Sequence, residues 1–168
     1  MNKKLIILFL VLNVTGINFP IYAEPAPPKF YDVASRPPKP LPPETGKVKD
    51  ILATNLIKLE SGHVIRLLGV EPTRKIEVRR RAVEFMMSQV NGKTVKLSYD
   101  KKLNDELGRL LAYVTLETNP PQTGPIQEDL LYRGYAYTSK KYPCKEYARF
   151  RRYEKVAKRE KRGIWEGI

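Results

Sequence analysis

Apolar positions past residue 55 fall into short runs whose spacing changes along the chain. Leu56, Ile57 and Leu59, then Val64, Ile65, Leu67, Leu68 and Val70, form two runs split by Glu60-Ser61-Gly62-His63. Two such runs across a glycine-containing turn predict a β-hairpin. Over residues 76–91, Val78, Ala82, Phe85, Met86 and Val90 recur at helical spacing and Gly92 follows as a stop. That predicts a helix with the Met86–Met87 pair packed in the core. Thr94 to Tyr99 alternates with Val95, Leu97 and Tyr99 on one face, and Leu110 to Leu116 is a second strand-like run. Residues 118–125 read as a loop and 126–133 as a short helix ended by Gly134. Residues 144–162 predict a long helix with Tyr147, Phe150, Tyr153 or Glu154, and Ala157 along one stripe, closed by Gly163. The order is strand, strand, helix, strand, strand, short helix, long helix. It predicts an α+β domain, mainly β, with an antiparallel sheet covered by helices on one side. Five strands closing as an OB-fold barrel is one specific solution, which the periodicity alone does not select.

The first 46 residues follow a different pattern. Lys3 and Lys4 precede the unbroken apolar run Leu5 to Leu12, and Ile21-Tyr22-Ala23 stands before Glu24. A positive start, an apolar run and a small residue at the cut predict a secretory signal over residues 1–23, and hence export to a periplasm or the exterior. The alternative is an uncleaved membrane anchor. Residues 24–46 hold eight prolines. Proline fixes φ and removes the backbone donor, so this segment is expected to be an extended tether that could also dock a protein of the cell envelope. The folded domain is then expected over residues 47–168.

Charge adds a partner class. The chain carries 31 Lys and Arg against 18 Asp and Glu, a formal +13. Loss of residues 1–23 removes Lys3, Lys4 and no acid, leaving +11. Such a balance favours polyanions, nucleic acid among them. Cys144 is the only cysteine and His63 the only histidine, which excludes an internal disulfide and a Cys/His zinc cluster.

Four blocks carry a resemblance. They are Arg66-Leu67-Leu68-Gly69-Val70-Glu71-Pro72, then Asp105-Glu106-Leu107-Gly108-Arg109-Leu110-Leu111-Ala112-Tyr113-Val114, then Leu130 to Ala136, and finally Ala157-Lys158 with Arg162-Gly163-Ile164-Trp165. In this order and spacing they resemble the staphylococcal nuclease (thermonuclease) family. The resemblance implies an OB-fold barrel with three helices and calcium-dependent hydrolysis of phosphodiesters in DNA and RNA.

Such chemistry needs a divalent cation on hard oxygen ligands, a carboxylate to activate water, and cationic groups for the transition-state charge. By the resemblance, Arg66 and Arg109 stand at the two phosphate-binding arginines, and guanidinium forks suit that contact. Asp105 is expected to hold the Arg109 turn. The acidic half of the site departs from the family. Asn55 stands at a metal-binding aspartate and offers a carbonyl oxygen without charge. Glu71 stands at the second, one methylene longer. Sliding the alignment onto Asp50 puts Leu52 at the metal position. Where the catalytic glutamate belongs the chain has Arg74, or Thr73 with one deletion, and Glu77 is the nearest acid beyond. Residual catalytic candidates are thus Arg66, Arg109 and Glu71, with Asn55 and Glu71 as a weak metal pair. Tyr142 and Lys140, beside Arg66 and Arg109, are the candidates for holding nucleic acid, and Tyr135 and Tyr137 are further stacking candidates.

The expectation is an impaired nuclease domain, without a cofactor, that binds nucleic acid or another polyanion through its arginines and its basic last helix. Two readings stand against it. One is an active metal-dependent endonuclease, using Ca²⁺ as the family does or a site rebuilt from Glu71, Asp105, Glu77 or Asp50. The other is a non-enzymatic envelope-interaction protein held by the proline tether.

Overall fold

The computed structural model describes residues 41–118 and 124–167. The expected signal segment 1–23, residues 24–40 of the proline-rich segment and residues 119–123 of the loop lie outside them. Seven strands and three helices follow in the order β1 Thr45–Ala53, β2 Leu56–Leu59, β3 Val64–Leu67, β4 Val70–Pro72, α1 Ile76–Val90, β5 Thr94–Asn104, β6 Leu110–Leu116, α2 Ile126–Tyr132, β7 Ala136–Thr138 and α3 Tyr147–Arg159. A 3₁₀ turn at Gly163–Trp165 ends the chain's ordered elements.

Strands β1-β2-β3-β6-β5 close into a five-stranded barrel. The antiparallel expectation needs one correction, because β3 and β6 pair in parallel, with Ile65 opposite Leu110 and Arg66 opposite Leu111. That pairing, together with β1 against β5, closes the barrel and leaves it no open edge. β4 and β7 form a separate two-stranded ribbon.

β1 escapes sequence reading for a physical reason. Its pairing with β2 shifts register twice, between Val48 and Asp50 and between Ile51 and Ala53. Each irregularity breaks the period-two alternation by which a half-buried strand is recognised. β1 takes in Thr45 and Gly46, the last two residues of the proline-rich segment. β4 and β7, at three residues each, are too short to show any period.

The interior is filled by Ile57, Leu59, Ile65, Leu67, Val95, Leu97, Leu111 and Val114 from the strands, closed by Met86, Leu130 and Phe150 from the helices. Helix α1 buries Val78, Ala82, Met86 and Val90, one residue per turn along a single stripe. Met86 is fully buried, whereas Met87 is half exposed, so only one of the methionine pair packs in the core.

α3 begins at Tyr147, three residues later than the periodicity predicts. The amide of Lys145 donates to Asp100 Oδ2 at 2.7 Å and that of Glu146 to Tyr113 Oη at 3.4 Å. Side chains of β5 and β6 therefore hold the backbone of 145–146 in place of a first helical turn. Gly69, with φ of +81°, is where β3 folds back into β4, and a Cβ there would lie 2.7 Å from Cys144 Sγ and 2.8 Å from Phe150. This close approach fixes the 142–147 segment against the barrel beside Arg66.

Candidate nucleic-acid interface

Arg66 lies on β3 between the buried Ile65 and Leu67, so the strand's alternation turns it away from the interior. The turn at Gly69 brings Glu71 of β4 back to it, and Arg66 Nη2 donates to Glu71 Oε1 at 2.5 Å. Asn55, in the β1–β2 turn, is nearly fully buried and pinned by its own carbonyl, which accepts the Leu67 amide at 2.9 Å. Its side-chain amide points at Glu71 Oε2, 3.4 Å away, and at the Val70 carbonyl, 3.5 Å away. Both carboxylate oxygens of Glu71 thus face donors from the protein itself.

Arg109 sits at the end of the β5–β6 turn. Asp105 Oδ1 accepts the amides of Leu107 at 2.9 Å and Arg109 at 3.0 Å. Asp105 Oδ2 accepts Arg109 Nε and Nη2, each at 2.6 Å. Burial pushes the Asp105 carboxyl upward, but the side-chain and backbone bonds from Arg109 and Leu107 outweigh it and leave the group below the usual carboxylate range. Asp105 is therefore a positioning residue: its two oxygens set both the turn and the direction of the guanidinium.

Tyr142 joins the two arginines. Its ring lies 5.6 Å from Arg66 Cζ, with Lys102 Nζ at 4.8 Å and Lys141 Nζ at 5.4 Å. Its hydroxyl donates to Glu106 Oε2, in the Arg109 turn, at 2.5 Å. That bond is the first cause of a Glu106 carboxyl pulled down to about 2. Arg66, Tyr142 and the Arg109 turn thus form one basic patch, with Lys102 and Lys141 beside the Tyr142 ring. Tyr142 itself is 5 % exposed, so its ring is a support for cations more than an open stacking face. Lys140 lies over Tyr147 at 4.9 Å. Tyr135 packs on Phe85 and Tyr137 on Trp165, which engages both rings inside the fold. Lys102, Glu106 and Lys141 carried no sequence signal, because only the fold brings them to Tyr142.

The remaining acids are dispersed. Glu77 pairs with Arg80 on the exposed face of α1, and Asp50 is exposed on β1. Thr73 is buried and its hydroxyl accepts the Lys75 amide at 3.1 Å, while Arg74 is exposed. Among the described residues no group of three or more His, Cys, Asp or Glu could hold a metal ion. On the basic last helix, Arg149 pairs with Glu128, Arg151 with Glu154 and Arg159 with Glu160, so a share of its charge is spent within the protein.

A closed five-stranded barrel with three helices defines an OB-fold, α+β domain, and Arg66 and Arg109 stand together on its surface. The model of the family described as staphylococcal nuclease homologue matches residues 64–167, and the chain belongs to that family. Membership connects the domain with nuclease-like or nucleic-acid-related function in general. No curated protein matches the chain.

Proposed function

We propose that this domain binds the phosphodiester backbone of single-stranded nucleic acid at the Arg66–Arg109 patch and has lost useful hydrolytic activity. The observation that carries this reading is the occupation of Glu71. In a family that is typically calcium-dependent, the one carboxylate at a metal-binding position is engaged by Arg66 at 2.5 Å, and its neighbour Asn55 presents N–H to it. A hard dication needs several oxygen ligands with more than one negative charge among them. One carboxylate already neutralised by a guanidinium, beside an uncharged amide, does not fit that ion. With Thr73 and Arg74 at the place of the family's catalytic carboxylate, a water-activating base is also missing, a loss of 10²- to 10⁴-fold in rate.

Anion binding fits better. Asp105 holds Arg109 by Nε and Nη2 and leaves Nη1 for a ligand, while Glu71 engages only Nη2 of Arg66. A guanidinium has five N–H groups, so each arginine can keep its protein partner and grip a phosphate. Lys102 and Lys141 add long-range attraction beside the Tyr142 ring. The leader and the net charge support a further part of the reading: the domain works after export, on a tether, where it meets polyanions outside the cytoplasm.

Fluorescence anisotropy with a single-stranded oligonucleotide in EDTA tests the binding. Arg109→Ala is expected to weaken it about tenfold and to reduce the slope of log K against log salt by about 0.7. Incubation of the same oligonucleotide with Ca²⁺, Mg²⁺ or Mn²⁺ is expected to leave it intact. Metal-dependent cleavage that disappears in Arg109→Ala protein overturns the proposal in favour of an active endonuclease.

A further inference from the structure

A basic cleft lies where α2 and α3 end. Helix α2 closes with the amides of Gly134 and Tyr135 bonded to the carbonyls of Leu131 at 3.0 Å and Leu130 at 2.7 Å, with Gly134 at φ of +68°. Helix α3 closes the same way. The amides of Lys161 and Arg162 reach Lys158 O at 3.2 Å and Ala157 O at 2.9 Å. This is the Schellman arrangement, whose left-handed position strongly favours glycine. Here α3 puts Lys161 in it, at φ of +52°, and among the described residues it is the one non-glycine with positive φ. The two ends are locked together, since Ile164 N donates to Gly134 O at 2.8 Å and a Cβ on Gly134 would strike the Arg162 carbonyl.

The cleft so formed has a volume of about 470 Å³, and Arg81, Tyr132, Arg133, Lys161, Arg162 and Glu166 line it. Arg81 makes a two-pronged pair with Glu166 at 3.1 and 2.8 Å. Arg162 pairs with Glu160 and stacks 3.9 Å over the Tyr132 ring. Arg133 lies 4.7 Å over Phe85. Among the described residues neither Arg133 nor Lys161 forms an ion pair, so two positive charges stand uncompensated. The two helix C-termini contribute roughly half a negative charge each, which offsets about one of them. That offset does not explain Lys161. A helix end is capped as well or better by glycine, and the terminal turn of α3 already carries Lys158 and Arg159. Lys161 thus carries its charge at the wall of this cationic cleft in a backbone conformation that a side chain resists.

We propose that this cleft is a second phosphate-binding site, which takes the backbone of a single-stranded nucleic acid at Arg133 and Lys161. It shares no residue with the Arg66–Arg109 patch. The guanidinium of Arg162 on Tyr132, itself 39 % exposed, offers a π-face on which a base can lie while the neighbouring cations hold the phosphate. The choice of nucleic acid as the polyanion rests on the function proposed above, whereas the cleft and its charge do not.

An amide NMR titration of the protein with pentathymidylate, in EDTA at low salt, reads the cleft and the Arg66–Arg109 patch separately. Saturable shifts are expected at Gly134, Lys161 and Gly163 and, independently, at Arg66 and Arg109. Lys161→Gly is expected to raise the Tm by a few degrees while weakening the shifts at Gly134 and the affinity read there three- to tenfold; Arg133→Gln is expected to weaken that affinity similarly. Shifts confined to the Arg66 and Arg109 region overturn this inference and leave the proposed function standing. Shifts confined to Gly134 and Gly163 do the reverse. No shift in either region refutes both, and Lys161→Gly protein that is more stable yet binds unchanged refutes the role given to Lys161.

Discussion

Asn55→Asp tests how the acidic half of the site is wired. The substitution is nearly isosteric and places a carboxylate oxygen where Asn55 Nδ2 now lies, 3.4 Å from Glu71 Oε2, at a residue only 3 % exposed. Two like charges at that separation repel by about 5 kcal/mol at an effective dielectric constant near 20. Protonation sets a ceiling: keeping one carboxyl neutral at pH 7 costs about 4 kcal/mol from an ordinary aspartate value. Arg66, on the other oxygen of Glu71, offsets part of the repulsion, so the expected loss of stability is about 2–4 kcal/mol in EDTA. Its sign with pH follows. The repulsion raises the folded carboxyl's pKa above its unfolded value, so as pH falls the folded variant takes up a proton before the unfolded chain does and its deficit shrinks towards pH 4. Calcium reverses the repulsion. With a Kd of about 1 mM, 10 mM Ca²⁺ returns about 1.4 kcal/mol, or several degrees of Tm. Thermal unfolding of both proteins in 10 mM CaCl₂ and in EDTA, at matched ionic strength, is the assay. The natural chain is expected to melt within a degree of itself in the two buffers, and Asn55→Asp protein to melt several degrees higher in calcium. A calcium-dependent rise in the natural chain as large as that in the variant refutes the claim that Glu71 and Asn55 do not fit the ion.

Three further substitutions test contacts already described. Gly69→Ala meets both a left-handed φ of +81° and a collision with Cys144 and Phe150, so it is expected to cost about 2–4 kcal/mol in denaturant unfolding. Asp105→Asn removes one of the two oxygens that between them accept four bonds and leaves Arg109 without its ion pair; about 2–3 kcal/mol of stability is expected to go, with oligonucleotide affinity falling through a misdirected Arg109. Because the Asp105 carboxyl lies below its ordinary value in the fold, its contribution is complete above the unfolded pKa near 4 and is lost as pH falls through the folded one, so acid titrations of the natural chain and Asp105→Asn protein are expected to converge as the pH is lowered past the unfolded value. Lys161→Gly relieves one strained residue and is expected to gain about 1 kcal/mol at neutral pH by calorimetry.

The helices and long strands were legible because their burial is periodic: α1 buries every fourth residue, and β6 is an unbroken apolar run. The hairpin of β2 and β3 carried its turn in Gly62. Alternation failed where pairing is irregular or brief, as in β1, β4 and β7. The start of α3 failed for another reason, since Asp100 and Tyr113, more than thirty residues earlier, capture its first amides.

The residue types of the site were legible locally: Arg66 and Arg109 are present, and the resemblance leads one to expect acids where the chain has Asn55, Thr73 and Arg74. How they are joined is a matter of distance across the closed barrel. Only the fold brings Glu71 onto Arg66, threads Tyr142 between Arg66 and Glu106, and sets Lys161 and Arg133 at one wall of a basic cleft. Covalent neighbours set turns, caps and alternation, but electrostatic partners are chosen through space, where a few ångströms decide whether a carboxylate holds a cation or a neighbouring guanidinium.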